Sequence, residues 1–240
     1  MATFRPFAAL RPVKERAREV AALPYDVVTR REAEKIGEEN PYSFLHVDRA
    51  EIDLSPEVDP YSPQVYDKAR ETLEKMEEDG IYIQDQQSGY YIYQQQMGEY
   101  VQTGLVGCAS IDDYLSGVVK RHELTREEKE EDRIRHVDAC DANTGPIFLT
   151  GRFSDELLDL MDRWMEEHAA EYDFQEEDGI FHRVWVIHGE ETIGQIRRLS
   201  GEIPSFYIAD GHHRAASAVK VGLKRRNSII SSPYCFPVVG

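Results

Sequence analysis

The sequence is poor in cysteine. Of its 240 residues only three are cysteine, namely Cys108, Cys140 and Cys235, and they form neither a Cys-x-x-Cys pair nor a regular spacing. An odd number of irregularly placed cysteines argues against a disulfide framework and against a structural zinc site. We therefore predict buried or incidental thiols.

Long hydrophobic runs are also missing. No apolar stretch approaches the roughly 20 residues of a membrane-spanning helix. The N-terminal segment MATFRPFAALRPVKERAREV lacks the uninterrupted apolar centre of a signal peptide. These absences predict a cytoplasmic protein with no membrane partner.

Positive charge is scarce. The chain has 28 Lys and Arg against 45 Asp and Glu, a net charge of −17. A protein that holds DNA needs a basic surface for the phosphates, so we predict no DNA partner. A small anionic ligand remains compatible with this charge if a local pocket focuses positive potential.

Helical and strand patterns alternate along the chain. A capping box at Thr29 and Glu32 predicts a helix over 30–39, and SFLHV at 43–47 has the pattern of a buried strand. Apolar spacing predicts an amphipathic helix with Val65, Ala69, Leu73 and Met76 on its inner face. Residues 3–10 have the composition of a short first strand.

The middle and C-terminal parts continue this alternation. Residues 81–111 are predicted to be β structure, with a hairpin turn at Gly98-Glu99. A second capping box, at Thr125 and Glu128, predicts a polar helix, and 154–168 is predicted as a helix with Leu157, Leu158, Met161 and Met165 facing inward. A strand over 180–188 and a helix over 191–200 follow. The order predicts an α+β fold, a mixed sheet with an antiparallel hairpin and surrounding helices, in one domain over 1–226.

The segment PSFYIADGHHRAASAVKVG, residues 204–222, is predicted to be a strand, a turn and a helix. Gly211 permits a tight turn, and the first helical turn offers unpaired N–H groups to an anion. Arg214 adds a forked donor, His212 and His213 can donate hydrogen bonds or transfer protons, and Asp210 can cap the helix or hold Mg²⁺. We predict an anion site. The alternatives are a simple helix cap with solvated histidines, or a zinc site that adjacent, divergent histidines disfavour.

A second charged cluster, KRHELTREEKEEDRIRHVDACDANTGP, covers 120–146. Lys120, His122 and Glu123 precede the predicted helix and combine a cation, a base and an acid. We predict that they face the same pocket as Asp210 and His213, with the imidazoles of His122 and His213 within about 12 Å, the reach of one small substrate. The alternative is a solvated, charged helix face. The turn NTGP could approach a ligand.

Several segments together resemble one protein family. In chain order they are ALRPVKERAREVAALPYDVV, NPYSFLHVDRAEIDL, QTGLVGCASIDDY, VKRHELTREEKEEDRIRHV, NTGPIFL and YIADGHHRAASA. They are similar to an uncharacterised bacterial and archaeal family, the domain of unknown function numbered 1015.

Its DGHHR element resembles the phosphate-binding signature of the ParB/sulfiredoxin-like superfamily, which includes CTP-binding partition proteins, sulfiredoxin and free serine kinases. This resemblance implies a ParB/sulfiredoxin-like element near the C-terminus, binding ATP or ADP with Mg²⁺. The implied phosphate-binding residues are Gly211, His212, His213 and Arg214, the implied metal ligand is Asp210, and Glu15 is the nearest counterpart of the base in free serine kinases. The segment KRHELTREEKEEDR has no counterpart in those kinases. The chemistry of the residues themselves, rather than the resemblance, adds Lys120 as a phosphate-binding residue, and it predicts Asp210, His213, His122 and Glu123 as catalytic residues together with Glu15.

The predicted function is therefore a nucleotide-dependent phosphotransferase acting on a small metabolite such as free serine. The alternative is a non-catalytic, nucleotide-binding regulatory protein. Sulfiredoxin-like chemistry is disfavoured because His212 stands where the resemblance would require a reactive cysteine.

The C-terminal segment NSIISSPYCFPVVG departs from the family pattern. The resemblance implies a longer family domain. We therefore interpret 1–226 as the N-terminal part of that domain and 227–240 as an atypical tail of frameshifted or truncated origin.

Overall fold

The computed structural model of the chain describes residues 2–123, 127–226 and 235–239. Eleven strands and nine α-helices lie in these residues. The strands are β1 (Phe4–Arg5), β2 (Leu10–Pro12), β3 (Tyr82–Gln84), β4 (Tyr90–Met97), β5 (Tyr100–Ser110), β6 (Val119–Lys120), β7 (Ile147–Thr150), β8 (Tyr172–Gln175), β9 (Phe181–Ile187), β10 (Phe206–Asp210) and β11 (Cys235–Val239). The helices are α1 (Ala17–Val20), α2 (Arg30–Glu39), α3 (Leu45–Asp48), α4 (Pro63–Glu78), α5 (Ile111–Leu115), α6 (Glu127–Cys140), α7 (Asp155–Glu167), α8 (Glu190–Gly201) and α9 (His212–Arg226).

Nine of the strands form one mixed sheet in the order β6-β10-β7-β11-β5-β4-β9-β8, with β1 also paired to β5. The pairs β6–β10 and β7–β11 are parallel, while the other pairs of this sheet are antiparallel. Strands β2 and β3 form a separate antiparallel pair. The predicted α+β class with a mixed sheet is confirmed.

Local signals account for several elements. The Thr29 side chain accepts a hydrogen bond from the Glu32 backbone N–H, and the Glu32 carboxylate accepts one from the Thr29 N–H, so the predicted capping box starts α2. The β4–β5 hairpin turns at Gly98, whose φ of 60° lies in the region that glycine adopts without strain. The predicted inner face of α4 is buried along its whole length. These three predictions are confirmed.

Three predictions were wrong in detail. Residues 43–47 are not a strand: backbone bonds from Val47 and Asp48 to the Phe44 carbonyl close a helical turn there, and the side chain of Val47 packs among α4 residues. A short apolar run does not by itself distinguish a strand from a buried helix. The predicted first strand over 3–10 is reduced to β1 and an isolated bridge at Phe7. In α7, Leu158 is 44% exposed because the inner face is formed by its neighbours instead.

The main core lies around the sheet. It includes the fully buried side chains of Leu149 on β7, Ile208 on β10 and Ala215 on α9. A smaller cluster joins α3 and α4 to Cys140 at the end of α6. Cys108 and Cys140 are buried, as predicted.

Among the helices that the structure describes, none is long and apolar enough to cross a lipid bilayer.

Gly107 on β5 offers a stability test of the main core. A Cβ at this position would lie 2.6 Å from Phe4 Cζ and 3.0 Å from Tyr90 Cδ1, between two rings stacked with centroids 5.4 Å apart. We expect Gly107→Ala to lower the free energy of unfolding by about 1–3 kcal/mol, the usual cost of overpacking. Urea denaturation measures it.

The matched control is Gly194→Ala, in the exposed interior of α8, where a Cβ would meet nothing within 4 Å. It should raise the free energy of unfolding by about 0.5–1 kcal/mol through helix propensity. Equal effects of the two substitutions would contradict the close ring packing around Gly107.

Candidate functional site

The strand-turn-helix at 206–226 has the predicted form. Strand β10 ends at Asp210, and α9 begins at His212, with Gly211 between them at a φ of 90°. A side chain at Gly211 would be strained at this φ and would bring a Cβ to 3.2 Å from Arg214 Cζ. The Gly211 carbonyl accepts the first helical bond from Ala215, which leaves the preceding N–H groups at the helix start available to an anion.

Arg214 connects this turn to the chain segment before β7. Its Nη2 donates to Asp210 Oδ2 at 2.6 Å, and its Nη1 donates to the Pro146 carbonyl. Gly145 allows this approach, since a Cβ there would lie 3.3 Å from Arg214 Nη1. The turn NTGP therefore lies against the guanidinium that the sequence singled out for anion binding.

The cluster at 120–123 lies beside the same turn. Strand β6 pairs in parallel with β10, and Lys120 is opposite Tyr207. The rings of His122 and His212 meet edge to face with centroids 4.5 Å apart, and Glu123 Oε2 lies 3.6 Å from His212 Nδ1. Parallel pairing of two short strands thus brings together residues that are far apart in sequence.

His212 is the buried member of this group. Its side chain is 5% exposed, and its Nε2 is buried with no hydrogen-bond partner among the described residues. Burial, reinforced by the neighbouring His122, lowers the pKa of His212 below its ordinary value. Asp210, by contrast, has a side chain 72% exposed to solvent.

A large pocket lies beside Arg214. Its volume is about 1090 Å³, and its walls include Arg214, Gly145, Tyr25, Asp48 and Arg133. Lys120, His122, Glu123, Asp210 and His213 do not line it. The turn and the pocket therefore share Arg214, and the remaining predicted residues form a cluster outside this pocket.

Glu15 does not reach the pocket. It is exposed in a 3₁₀ turn over Lys14–Arg16, whereas Arg18 and Glu19, closer to the loop before α2, line the pocket wall. The structure therefore does not place Glu15 where a base acting in the pocket would lie. Thr125, the predicted cap of α6, is outside the described residues.

The charged helix α6 is solvated on one face only, and its other face is buried. Glu130, Arg133 and His136 are buried, each at most 8% exposed. Arg133 donates from Nε to Asp132 Oδ2 at 3.0 Å and lies over the Tyr25 ring, 4.0 Å from its centroid. Asp132 also accepts from another helix, since Tyr66 on α4 donates its hydroxyl to Oδ1.

Asp48 and His136 complete this wall. Thr144 donates to Asp48 Oδ1 at 2.6 Å, and His136 Nε2 lies 2.9 Å from the Val47 carbonyl. Since a carbonyl only accepts, Nε2 donates this bond. Burial, and then the charge of Arg133, lower the pKa of His136.

Sequence reasoning singled out the turn NTGP, which contains Thr144, but it missed Tyr25 and Asp48 as pocket residues. Neither of these two belongs to a segment that the sequence analysis singled out for its charged or polar groups. The signal that was available is indirect: both lie in segments that carry the family resemblance.

Mg²⁺ with a nucleotide fits the turn in one respect. The ion usually keeps phosphate and water ligands and takes only one or two carboxylates from the protein. Asp210 meets that need, since Oδ2 pairs with Arg214 and the exposed carboxylate has a second oxygen. Within the described residues there is no group of three or more side chains arranged to hold a metal by themselves.

The comparisons with known proteins assign a family and nothing finer. The family model described as "Protein of unknown function (DUF1015)" matches residues 4–236, so the chain belongs to that family. No curated protein and no solved structure matches the chain. The family match brings no support for the ParB/sulfiredoxin-like element, which rests on residues 210–214 alone.

Proposed function

We propose that this member of the DUF1015 family is a nucleotide-dependent phosphotransferase. The turn from Asp210 to Arg214 holds the phosphates of ATP, and the adjoining pocket holds the rest of the reactants. The observation that carries the proposal is the position of Arg214, which belongs at once to a helix start suited to anions and to the wall of a 1090 Å³ pocket. That volume is slightly above the usual range of about 300–1,000 Å³ for small-molecule sites, which leaves room for two reactants.

The chemistry needs positioning and charge neutralisation more than covalent participation by the protein. The bond between the γ-phosphorus and the bridging oxygen breaks, ADP leaves, and an acceptor hydroxyl oxygen forms the new bond to phosphorus. The hydroxyl proton passes to a base, for which Asp210 and His213 in the turn are the candidates. Because neither of them lines the pocket, the acceptor hydroxyl would have to lie at the part of the pocket formed by Arg214. Arg214 and the first N–H groups of α9 stabilise the charge on the phosphoryl oxygens. Mg²⁺, held by Asp210, would neutralise phosphate charge.

The ion pair between Asp210 and Arg214 favours a second candidate function. Because each group already neutralises the other, the turn can bind a nucleotide without transferring its phosphoryl group, as a regulatory protein would. Nucleotide binding is common to both functions, so it is tested first and turnover second.

The binding test uses Arg214→Ala. Calorimetry with Mg²⁺ and ATP, ADP or CTP should show binding to the native chain, and the variant should bind at least tenfold more weakly. This loss corresponds to about 1.5–3 kcal/mol for a charge-assisted hydrogen bond. Arg214→Lys should recover little, because an ammonium does not replace the forked donor.

Arg198→Ala is the matched control. Arg198 on α8 also makes two ion pairs with carboxylates, Glu156 and Glu202, but it does not line the pocket. The nucleotide affinity of the Arg198→Ala variant should equal that of the native chain. Absence of heat for every nucleotide, from protein shown to be folded by circular dichroism, would overturn the proposal. Binding without ADP formation in the presence of candidate acceptors would select the regulatory function.

A further inference from the structure

Two oppositely charged side chains on the pocket wall, Arg133 and Asp48, each have one hydrogen-bonding atom without a partner among the described residues. Arg133 contacts Asp132 through Nε and Nη2, and no described residue accepts a hydrogen bond from its Nη1. Asp48 accepts a hydrogen bond from Thr144 at Oδ1, and no described residue donates a hydrogen bond to its Oδ2. Neither Nη1 nor Oδ2 is among the fully buried polar atoms that lack a partner, so each keeps accessible surface, and both residues line the pocket.

The two groups are neighbours, but the structure shows no direct ion pair between them. Burial acts to lower the pKa of Arg133, and the charges of Asp132 and then Asp48 nevertheless hold it above its ordinary value. Arg133 pairs with Asp132 and Asp48 bonds to Thr144, so each side chain keeps one atom for a ligand in the pocket that both residues line. Charged groups this well buried are costly unless they are paired. A ligand that supplies one negative and one positive group would complete both.

The surroundings restrict the ligand further. The guanidinium is held in place by the Tyr25 ring on one face and by Asp132 at one edge, which leaves the Nη1 edge for a carboxylate. Leu45 and Val137 add apolar wall beside the two charges, which suits a short aliphatic side chain. A phosphate-bearing ligand would leave Asp48 facing an anion, so this part of the pocket is distinct in chemistry from the turn at Arg214.

We propose that this wall binds a free α-amino acid, with its carboxylate on Arg133 Nη1 and its ammonium on Asp48 Oδ2. The assignment of that amino acid as the phosphoryl acceptor, through a side-chain hydroxyl, rests on the proposed function; the binding itself does not. Serine is the smallest amino acid that carries all three groups.

The test compares three ligands that share a hydroxymethyl group. L-Serine has both charges, D-glycerate lacks the ammonium, and ethanolamine lacks the carboxylate. Calorimetry without nucleotide should show binding of L-serine, with each analogue at least tenfold weaker. L-Alanine should bind about as well as L-serine, because the recognition resides in the two charges.

Asp48→Asn provides the variant. An asparagine keeps an oxygen for the Thr144 hydroxyl but removes the charge that the ammonium needs, so L-serine should bind at least tenfold more weakly while D-glycerate is unaffected. Asp79→Asn, at an exposed carboxylate paired with Lys75 on α4, is the control and should leave all affinities unchanged.

The outcomes separate the two proposals. Equal affinity of native protein for L-serine and D-glycerate, or no binding of any amino acid, overturns the inference even if Asp48→Asn fails to fold. Binding of L-serine by a chain that binds no nucleotide supports the inference and rejects the phosphotransferase. Binding of nucleotide by a chain that binds no amino acid rejects the inference and supports nucleotide binding at the turn.

Discussion

Replacing Arg133 with methionine should lower the free energy of unfolding by about 3–5 kcal/mol, the cost of leaving a buried charge without its partner. The Arg133 side chain is 10% exposed and its ion-pair partner Asp132 is 15% exposed. Methionine retains much of the aliphatic volume over the Tyr25 ring but none of the charge. The Asp132 carboxylate would then keep only its hydrogen bond from Tyr66. Urea denaturation followed by circular dichroism measures the change.

A neighbouring arginine gives the control. Arg135→Ala breaks an ion pair with Glu131 in the same helix, but both side chains there are about half exposed. Such exposed pairs are worth about 0–1 kcal/mol. The double variant Asp132→Asn with Arg133→Met should regain much of the loss, since no charge is left uncompensated. A single-variant effect as small as that of Arg135→Ala would show that water reaches Asp132 and that the pair is not buried.

Acid should destabilise the fold through His136. In the folded chain burial and Arg133 hold the pKa of this imidazole below 6.5, its ordinary value. The contribution of His136 is therefore complete above pH 6.5. It is lost as the pH falls from 6.5 towards the folded-state pKa, because there the unfolded chain binds a proton that the folded chain excludes. The slope approaches about 1.4 kcal/mol per pH unit for one proton.

The variant His136→Gln isolates the contribution of His136 to the pH dependence of the unfolding free energy. Glutamine can still donate a hydrogen bond to the Val47 carbonyl, but it does not titrate. The other shifted histidines remain in both proteins: burial lowers the pKa of His182 and His212, while Asp53 raises that of His46. The difference in unfolding free energy between native and variant chains should shrink as the pH falls below 6.5. A difference that stays constant between pH 7 and pH 5 would contradict the buried, neutral His136.

The core of the candidate site was only partly predictable. The pattern of five residues at 210–214 predicts a glycine turn between strand and helix, and the structure has that turn. The cluster at 120–123 was expected near it on chemical grounds, and His122 does contact His212. Its neighbourhood depends on β6 pairing with β10, which no local pattern specifies. The catalytic roles of these residues remain predictions.

Sequence alone determined the elements whose signals are local. The Thr29–Glu32 capping box, the apolar stripe of α4, the hairpin at Gly98 and the turn at Gly211 depend on residues within a few positions of one another, so propensity, capping and φ preference decide them. Composition alone also gives the net charge of −17, and the absence of a DNA partner that it indicates stays a prediction.

Tertiary structure decided what is buried and what meets across the chain. The apolar run at 43–47 became the helical turn α3 because its local hydrogen bonds and its packing against α4 outweigh its strand-like composition. The charged helix α6 became an inner wall because Tyr66 and Tyr25 cover its Asp132 and Arg133. The pocket joins Asp48 to Thr144, 96 positions away. Such contacts arise only when distant segments are desolvated together, and desolvation is a property of the packed chain rather than of any local pattern.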